Sequence, residues 1–128
     1  MSRLAPSSIS FQSALIVDDH PLFCDALSMT LQAVADIRQI NTAATLQDGV
    51  NWLQKNPEPD VVVLDLNLPD VDGLDGLIRL HNAIKAPIVI VSSMADNRVI
   101  SSVIHAGAAG FVPKHSQRDV FRTAFDTL

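Results

Sequence analysis

The sequence predicts an α/β domain in which a parallel sheet of five strands carries helices on both faces. Short runs of β-branched and aliphatic residues, above all Val61–Leu64 and Ile88–Val91, lack the polar alternation of strands with one face in water. Segments with helical apolar periodicity separate these runs along the chain. Strict alternation of strands and helices is typical of a parallel sheet with right-handed crossovers.

The first half of the chain supplies two strands and two helices. Ala14–Val17 is a short apolar run, and Pro21 after it is a favourable first residue of a helix. The helix face that we expect to be buried carries Leu22, Phe23, Ala26, Leu27, Leu31 and Val34. Ile37–Thr42 predicts a second, weaker strand, and Leu46–Gln54 predicts the second helix.

The second half supplies three strands and three helices. Val61–Leu64, Ile88–Val91 and the brief Phe111–Val112 predict the strands. The third helix is marked by Leu74, Leu77, Ile78 and Leu80. The fourth, which Gly107 would end, carries Val99, Ile100, Val103 and Ile104. A last helix, capped by Ser116, would carry Val120, Phe121, Ala124, Phe125 and Leu128.

These elements favour a flavodoxin-like (βα)5 three-layer sandwich with strand order 2-1-3-4-5. The 128 residues fit one domain of ordinary size, which we expect to span residues 13–128. Residues 1–12 contain Pro6 and four serines and are expected to form a flexible leader.

Composition excludes several classes of protein. The single cysteine, Cys24, rules out an internal disulfide and a cysteine-based zinc site, and a reducing cytoplasm is the simplest compartment. We expect Cys24 to pack in the core. A formal charge of −5 without a run of Lys or Arg argues against nucleic-acid binding by this segment. The apolar runs are far too short to cross a bilayer, so we expect no membrane partner.

Polar residues follow the predicted strands at the carboxyl ends, where such sheets bind ligands. Asp18 and Asp19 follow the first strand and Asp65 the third, while Ser92 and Lys114 follow the fourth and the last. Strands one and three would be neighbours, so three carboxylates would share one crevice, where two charges about 4 Å apart repel by roughly 4 kcal/mol. Such a cluster needs a cation or a raised carboxyl pKa. Its oxygen ligands suit a hard ion such as Mg²⁺.

The same residues match the needs of phosphoryl transfer to a carboxylate. If Asp65 attacks a phosphoryl donor, the metal, Lys114, Ser92 and nearby backbone N–H groups would share the charge of the phosphoryl oxygens. Each residue alone also has a plain structural interpretation as a cap, a turn or a loop residue. We expect His20 and His105 to be solvent-side helix residues and not ligands.

Here the chain resembles the receiver domain of a two-component response regulator, over roughly Ala14 to Leu128. The matching motifs are Leu15–Pro21, Val61–Asp70, Asp72–Leu74, Ile88–Ser92 and Ala106–Lys114. Asp18-Asp19-His20-Pro21 together with Gly107–Phe111 is most similar to the NarL/FixJ subfamily, whose output domains are of the LuxR type.

The resemblance implies that a sensor histidine kinase or a phosphotransfer protein donates a phosphoryl group to Asp65, with Ser92 and Lys114 in contact with it. A Mg²⁺ or Mn²⁺ ion would be held by Asp18, Asp19, Asp65 and the backbone carbonyl of Asn67. Asn67 and Met94 would occupy the positions that tune the lifetime of the aspartyl-phosphate.

It also implies a switch made of Ser92 and Phe111, which repacks the fourth helix, last strand and last helix into a surface for output or for dimerisation with a second copy. Phe111 lacks the hydroxyl that many relatives carry there. Receivers of this subfamily usually precede a helix-turn-helix domain, and nothing in this chain resembles one. We therefore expect a longer transcription regulator that contacts DNA only through such a C-terminal domain.

Three alternatives remain beside this switch. A degenerate receiver would act as a docking module without phosphorylation, although the complete set of site residues argues against it. A phosphohydrolase of the haloacid-dehalogenase type would need a second aspartate where Asn67 stands. A flavin binder would need a Gly-rich loop after the first strand. We expect a phosphoacceptor domain and not an enzyme, with at most slow self-catalysed phosphotransfer and autodephosphorylation.

Overall fold

The computed structural model describes residues 11–94 and 96–128. Its middle layer is a five-stranded sheet whose pairings are all parallel. The strands are β1 (Ser13–Val17), β2 (Gln39–Ala43), β3 (Val61–Asp65), β4 (Ile88–Ser92) and β5 (Gly110–Pro113). Their order is β2-β1-β3-β4-β5, which confirms the predicted flavodoxin-like topology.

Helices cover both faces of this sheet. They are α1 (Pro21–Ala35), α2 (Leu46–Lys55), α3 (Gly73–Ala83), α4 (Asn97–His105) and α5 (Arg118–Asp126). Residues of α1 and α5 share one buried apolar cluster, while those of α2, α3 and α4 share the other, so the sandwich has three layers. In the parts of the chain that the structure describes, no helix is long and apolar enough to cross a membrane.

The two central strands, β3 and β4, fix the positions of the residues at their carboxyl ends. Every residue of β3 and β4 is buried. Val61 and Val63 face the cluster under α1 and α5, whereas Val62 and Leu64 face the opposite cluster. Full burial of such a side chain contributes about 1.5–3 kcal/mol. The continuous apolar run therefore fixes the position of Asp65 at its end.

Several apolar residues that marked the predicted helices are exposed and not in the core, namely Leu22, Leu74, Ile78, Ile104 and Val120. Leu22 is 85 % exposed, because the buried side of α1 is set by Cys24, Leu27 and Leu31. Positions 22 and 24 lie roughly 200° apart around a helix, so they cannot both face the sheet. Ile78 is also exposed on α3, where Leu77 makes the core contact.

The termini differ from the prediction as well. Residues 1–10 of the predicted leader lie outside the described residues, but Phe11 is buried, and its ring packs edge-on against Phe125 with centroids 6.4 Å apart. The folded part therefore includes residues before position 13. Ser116 does not cap α5, because Gln117 precedes the helix and the Ser116 backbone N–H closes a turn onto Pro113.

Candidate functional site

The parallel register brings four predicted site residues to one edge of the sheet. Val17 pairs with Leu64, which places Asp18 beside Asp65 at the ends of β1 and β3. The backbone N–H of Lys114 donates to the Ser92 carbonyl at 2.8 Å and extends the ladder between β4 and β5. All four polar side chains belong to buried residues, namely Asp18, Asp65, Ser92 and Lys114.

The Lys114 ammonium lies in the centre of this group. Its Nζ is 2.9 Å from Asp18 Oδ2 and 3.3 Å from Asp65 Oδ2, and it lies 4.8 Å from the centre of the Phe23 ring. Burial alone would lower the pKa of Lys114, but the Asp18 and Asp65 carboxylates outweigh burial and raise it. Lys114 therefore carries its charge throughout the physiological pH range.

Asp65 is held in an environment that disfavours its negative charge. Burial raises the pKa of Asp65 above its ordinary value of 3.8, and the charge of Asp18 raises it further. The backbone N–H of Asn67, which donates to Asp65 Oδ1 at 3.0 Å, and the Lys114 ammonium oppose this shift. A second positive charge in the cleft would offset the remaining free-energy cost of ionising Asp65.

The acidic side chains fit a divalent cation. Asp18 Oδ2 and Asp19 Oδ1 are buried without a hydrogen bond from any described residue, although Lys114 forms an ion pair with the former. Ligand atoms of Asp18, Asp19 and Asp65 lie within 4.8 Å of one another. Carboxylate oxygens are the donors that Mg²⁺ and Mn²⁺ take. The site thus offers acceptors that a hard ion would satisfy.

The Ser92 hydroxyl contacts both residues for which the sequence predicted an effect on phosphate lifetime. Its Oγ accepts hydrogen bonds from the Asn67 side-chain amide at 3.3 Å and from the Met94 backbone N–H at 3.1 Å. Both bonds use oxygen lone pairs, so the hydroxyl hydrogen is free to donate to a phosphoryl oxygen. The Met94 side chain itself is exposed.

Phe111 connects the site edge with the helical layer. It pairs with Ile90 across β4 and β5, and its half-buried ring packs against the cluster that includes Val103 of α4. A change in the ring position would therefore change the packing of α4.

Sequence reasoning missed the contribution of His20. It immediately precedes α1, and its Nδ1 lies 3.1 Å from Asp18 Oδ1, 3.2 Å from Asp19 Oδ1 and 2.8 Å from Lys114 Nζ. The His20 side chain is 63 % exposed, as expected for a solvent-side residue, but His20 precedes α1 and does not lie within it. His105 is exposed on α4, as expected. The available signal was its position directly after the strand-end aspartates and before a helix-starting proline.

Cys24 packs beneath the site as expected. Its Sγ donates to the Asp18 carbonyl at 3.5 Å. Burial and the nearby Asp18 charge raise the pKa of the thiol to about 11. The thiol therefore stays protonated and belongs to the core.

The curated proteins that are similar to this chain include an activator and a transcriptional regulatory protein. "Glycerol metabolism activator" of Pseudomonas putida is 36 % identical over 115 residues, which are 89 % of this chain and 52 % of the relative. "Transcriptional regulatory protein MctR" of Rhizobium johnstonii is 34 % identical over 116 residues, 89 % of this chain and 53 % of the relative. The chain thus spans about half the length of these curated relatives.

Solved structures share the fold. A two-component response regulator from Clostridium difficile superposes with a TM-score of 0.80 at 20 % identity, covering 89 % of this chain and 92 % of that one. The receiver domain of the response regulator NarL from Mycobacterium tuberculosis gives 0.78 at 22 % identity, covering 91 % and 94 %. The family model described as "Response regulator receiver domain" matches residues 14–126, and the chain therefore belongs to the response regulator receiver domain family.

Proposed function

We propose that this domain is a phosphorylation-dependent signalling switch that accepts a phosphoryl group on Asp65. The observation that carries the proposal is the placement of the Asp65 carboxylate, 3.3 Å from the Lys114 ammonium, at an edge shared with Asp18 and Ser92. The donor would be the phosphohistidine of a sensor histidine kinase or a phosphotransfer protein. We place the exchange in the cytoplasm.

In the transfer, a carboxylate oxygen of Asp65 forms a bond to phosphorus as the bond between phosphorus and the donor nitrogen breaks, and the donor histidine leaves with the electron pair of that bond. Lys114 would balance the negative charge on the phosphoryl oxygens, and Ser92 would donate its hydroxyl hydrogen to one of them. The residues that would hold Mg²⁺ or Mn²⁺ are Asp18, Asp19, Asp65 and the backbone carbonyl of Asn67. When bound, the ion supplies positive charge to the phosphoryl group.

The switch would begin at Ser92. The phosphoryl group adds roughly −1.5 to −2 charges to an acidic cleft, so Lys114 and Ser92 gain a partner that exists in only one state of the domain. Movement of the Ser92 hydroxyl would break its contacts with Asn67 and Met94. Phe111 would then turn and repack the surface formed by α4, β5 and α5, for dimerisation or output.

The output we propose is transcription. The similarity to "Transcriptional regulatory protein MctR" supports a regulator of the NarL/FixJ type. Because the chain spans about half of such relatives, DNA contact would fall to a helix-turn-helix domain outside it. The domain itself would be a phosphoacceptor with at most slow self-catalysed phosphotransfer and autodephosphorylation.

The experiment is incubation with phosphoramidate or acetyl phosphate, with and without Mg²⁺, followed by intact mass measurement. We expect the wild type to gain one phosphoryl group only with the metal, and Asp65→Asn to gain none. Asp75→Asn removes an exposed carboxylate on α3 and should label like the wild type.

Two other outcomes would replace the proposal. Absence of label with every donor would favour a docking module that works unphosphorylated. Multiple turnover of small phosphate esters would favour a phosphohydrolase, for which Asn67 supplies an amide where a second carboxylate is needed.

A further inference from the structure

We propose that His20 is a nitrogen ligand of the metal ion at the acidic site and raises its preference for imidazole-binding dications such as Ni²⁺ and Co²⁺ over Mg²⁺. The inference rests on the metal binding that is part of the proposed function. It adds to the carboxylate set a fourth side chain, whose donor atom suits transition metals better than Mg²⁺.

The position of the imidazole nitrogen supports this role. His20 Nδ1 lies 3.1 Å from Asp18 Oδ1 and 3.2 Å from Asp19 Oδ1. A ligand atom of each of these residues and of Asp65 lies within 4.8 Å of the others. Octahedral ligands about 2.1 Å from an ion are separated by about 3–4 Å, so a small inward movement brings the four atoms around one ion.

The buried Asp18 carboxylate is an independent indication that this cluster suits a cation. The Asp18 side chain is 0 % exposed, and its Oδ2 has no hydrogen bond from a described residue. Lys114 Nζ offsets part of its charge from 2.9 Å. The ammonium therefore supplies positive charge that the Asp18 carboxylate requires. If Lys114 moved to a phosphoryl group, Asp18 would lose this charge.

The imidazole also lies next to the buried ammonium. Lys114 Nζ is 2.8 Å from His20 Nδ1, so this nitrogen, the ammonium and the two aspartates form one cluster. The side chain is 63 % exposed, which leaves the other side of the ring open to water.

The backbone keeps this imidazole near the aspartates. The His20 N–H donates to Asp18 Oδ1 at 2.8 Å, and Pro21 follows as the first residue of α1. By contrast, His105 already directs its Nδ1 to the Ser101 carbonyl at 2.8 Å on α4. His105 is therefore a matched control.

The first test is pulsed electron paramagnetic resonance of the protein loaded with Mn²⁺. We expect a nitrogen-14 coupling of the imidazole type in the wild type and in His105→Phe, and its loss in His20→Phe, which keeps a ring but no nitrogen. If His20→Phe does not fold, a variant with His81, His105 and His115 all changed to Gln must retain the coupling.

The second test is calorimetric titration with Ni²⁺ and with Mg²⁺. Loss of a group that only orients a metal ligand typically costs 10–100-fold in affinity, and loss of a ligand should cost at least as much. His20→Phe should therefore weaken Ni²⁺ binding by at least about tenfold while Mg²⁺ binding changes little. If the wild type binds Mn²⁺ but shows no nitrogen coupling in the resonance spectrum, the inference about His20 is wrong, and the proposed phosphorylation of Asp65 is unaffected. Equal weakening of both metals also overturns the inference. If the wild type binds neither metal, both the proposed metal site and the inference about His20 are wrong.

Discussion

The Lys114 ammonium lies 2.9 Å from the Asp18 carboxylate and thereby joins the end of β5 to the end of β1. Both side chains are buried, and the same ammonium contacts Asp65. Removal of one member of a buried ion pair leaves an uncompensated charge, which costs more than the pair contributes. The positive charge at this position is therefore a requirement of the fold.

Lys114→Met should lower the free energy of unfolding by about 3 kcal/mol without metal, because Asp18 and Asp65 then lack a counterion. Saturating Mg²⁺ should restore part of that loss through binding to the folded state. Urea unfolding with and without Mg²⁺ measures both effects. Lys85→Met, at an exposed position, is the control, and an equal loss in both variants would contradict the expectation.

Asp65→Asn should stabilise the metal-free domain by roughly 0.5–2 kcal/mol at neutral pH, as is common when a costly functional group is neutralised. Burial raises the folded-state pKa of Asp65 above 3.8, so the ionised form costs stability. The advantage of the variant should be smallest below pH 3.8 and grow as pH rises through the raised pKa. Unfolding curves of both proteins across this range test the sign, and a variant less stable than wild type at pH 7 would contradict it.

Ser92→Ala should slow phosphoryl labelling by at least about tenfold, because one donor to the phosphoryl oxygens is lost. It should also cost about 1 kcal/mol of stability, since Met94 N–H and the Asn67 amide lose their acceptor. Ser93→Ala, at the next and exposed position, should change neither quantity. Labelling of Ser92→Ala at the wild-type rate would show that this hydroxyl does not contact the phosphoryl group.

Asp70→Ala should destabilise the domain by about 1 kcal/mol, the usual cost of losing a helix cap. Its carboxylate accepts from the backbone N–H groups of Leu46 at 3.0 Å and Gln47 at 3.1 Å, and so ties the loop after β3 to the start of α2. Asp72, which precedes α3 without a side-chain cap, is the matched control. Thermal unfolding of the two alanine variants should separate them, and equal melting temperatures would argue against the cap.

The contribution of Asp70 should also depend on pH. The Leu46 and Gln47 hydrogen bonds lower the pKa of Asp70 below its ordinary value of 3.8. The stabilisation is therefore complete above 3.8 and is lost as pH falls through the lowered pKa. The difference between wild type and Asp70→Ala should shrink on acidification, and a difference that widens would contradict this assignment.

The sheet and the main part of the site could be predicted from the sequence, because they depend on local patterns. A continuous apolar run such as Val61–Leu64 is buried on both faces wherever a parallel sheet forms, and the residue after it must lie at the sheet edge. That reasoning placed Asp65 beside Asp18 without knowledge of any side-chain conformation.

Positions that depend on three-dimensional direction could not be predicted in the same way. Leu22 is apolar but points into water because Cys24 takes the core side of α1. His20 lies in a loop, where no periodicity indicates the side-chain direction, and one of its contacts is with Lys114, which is 94 residues away in the sequence. Residue type alone predicts Ser116 as a helix cap. In the structure, the Ser116 backbone N–H closes a turn onto Pro113, and Gln117 is the residue that precedes α5.

The most direct test of the central claim is to locate the phosphoryl group. Borohydride reduces an aspartyl-phosphate to homoserine, and tryptic cleavage after Lys55 and Arg79 releases one peptide that contains Asp65. After labelling with Mg²⁺ and acetyl phosphate, tandem mass spectrometry should find homoserine at position 65 and at no other aspartate of that peptide. Homoserine at another position, or a labelled protein whose peptide keeps Asp65 unchanged, would contradict the account.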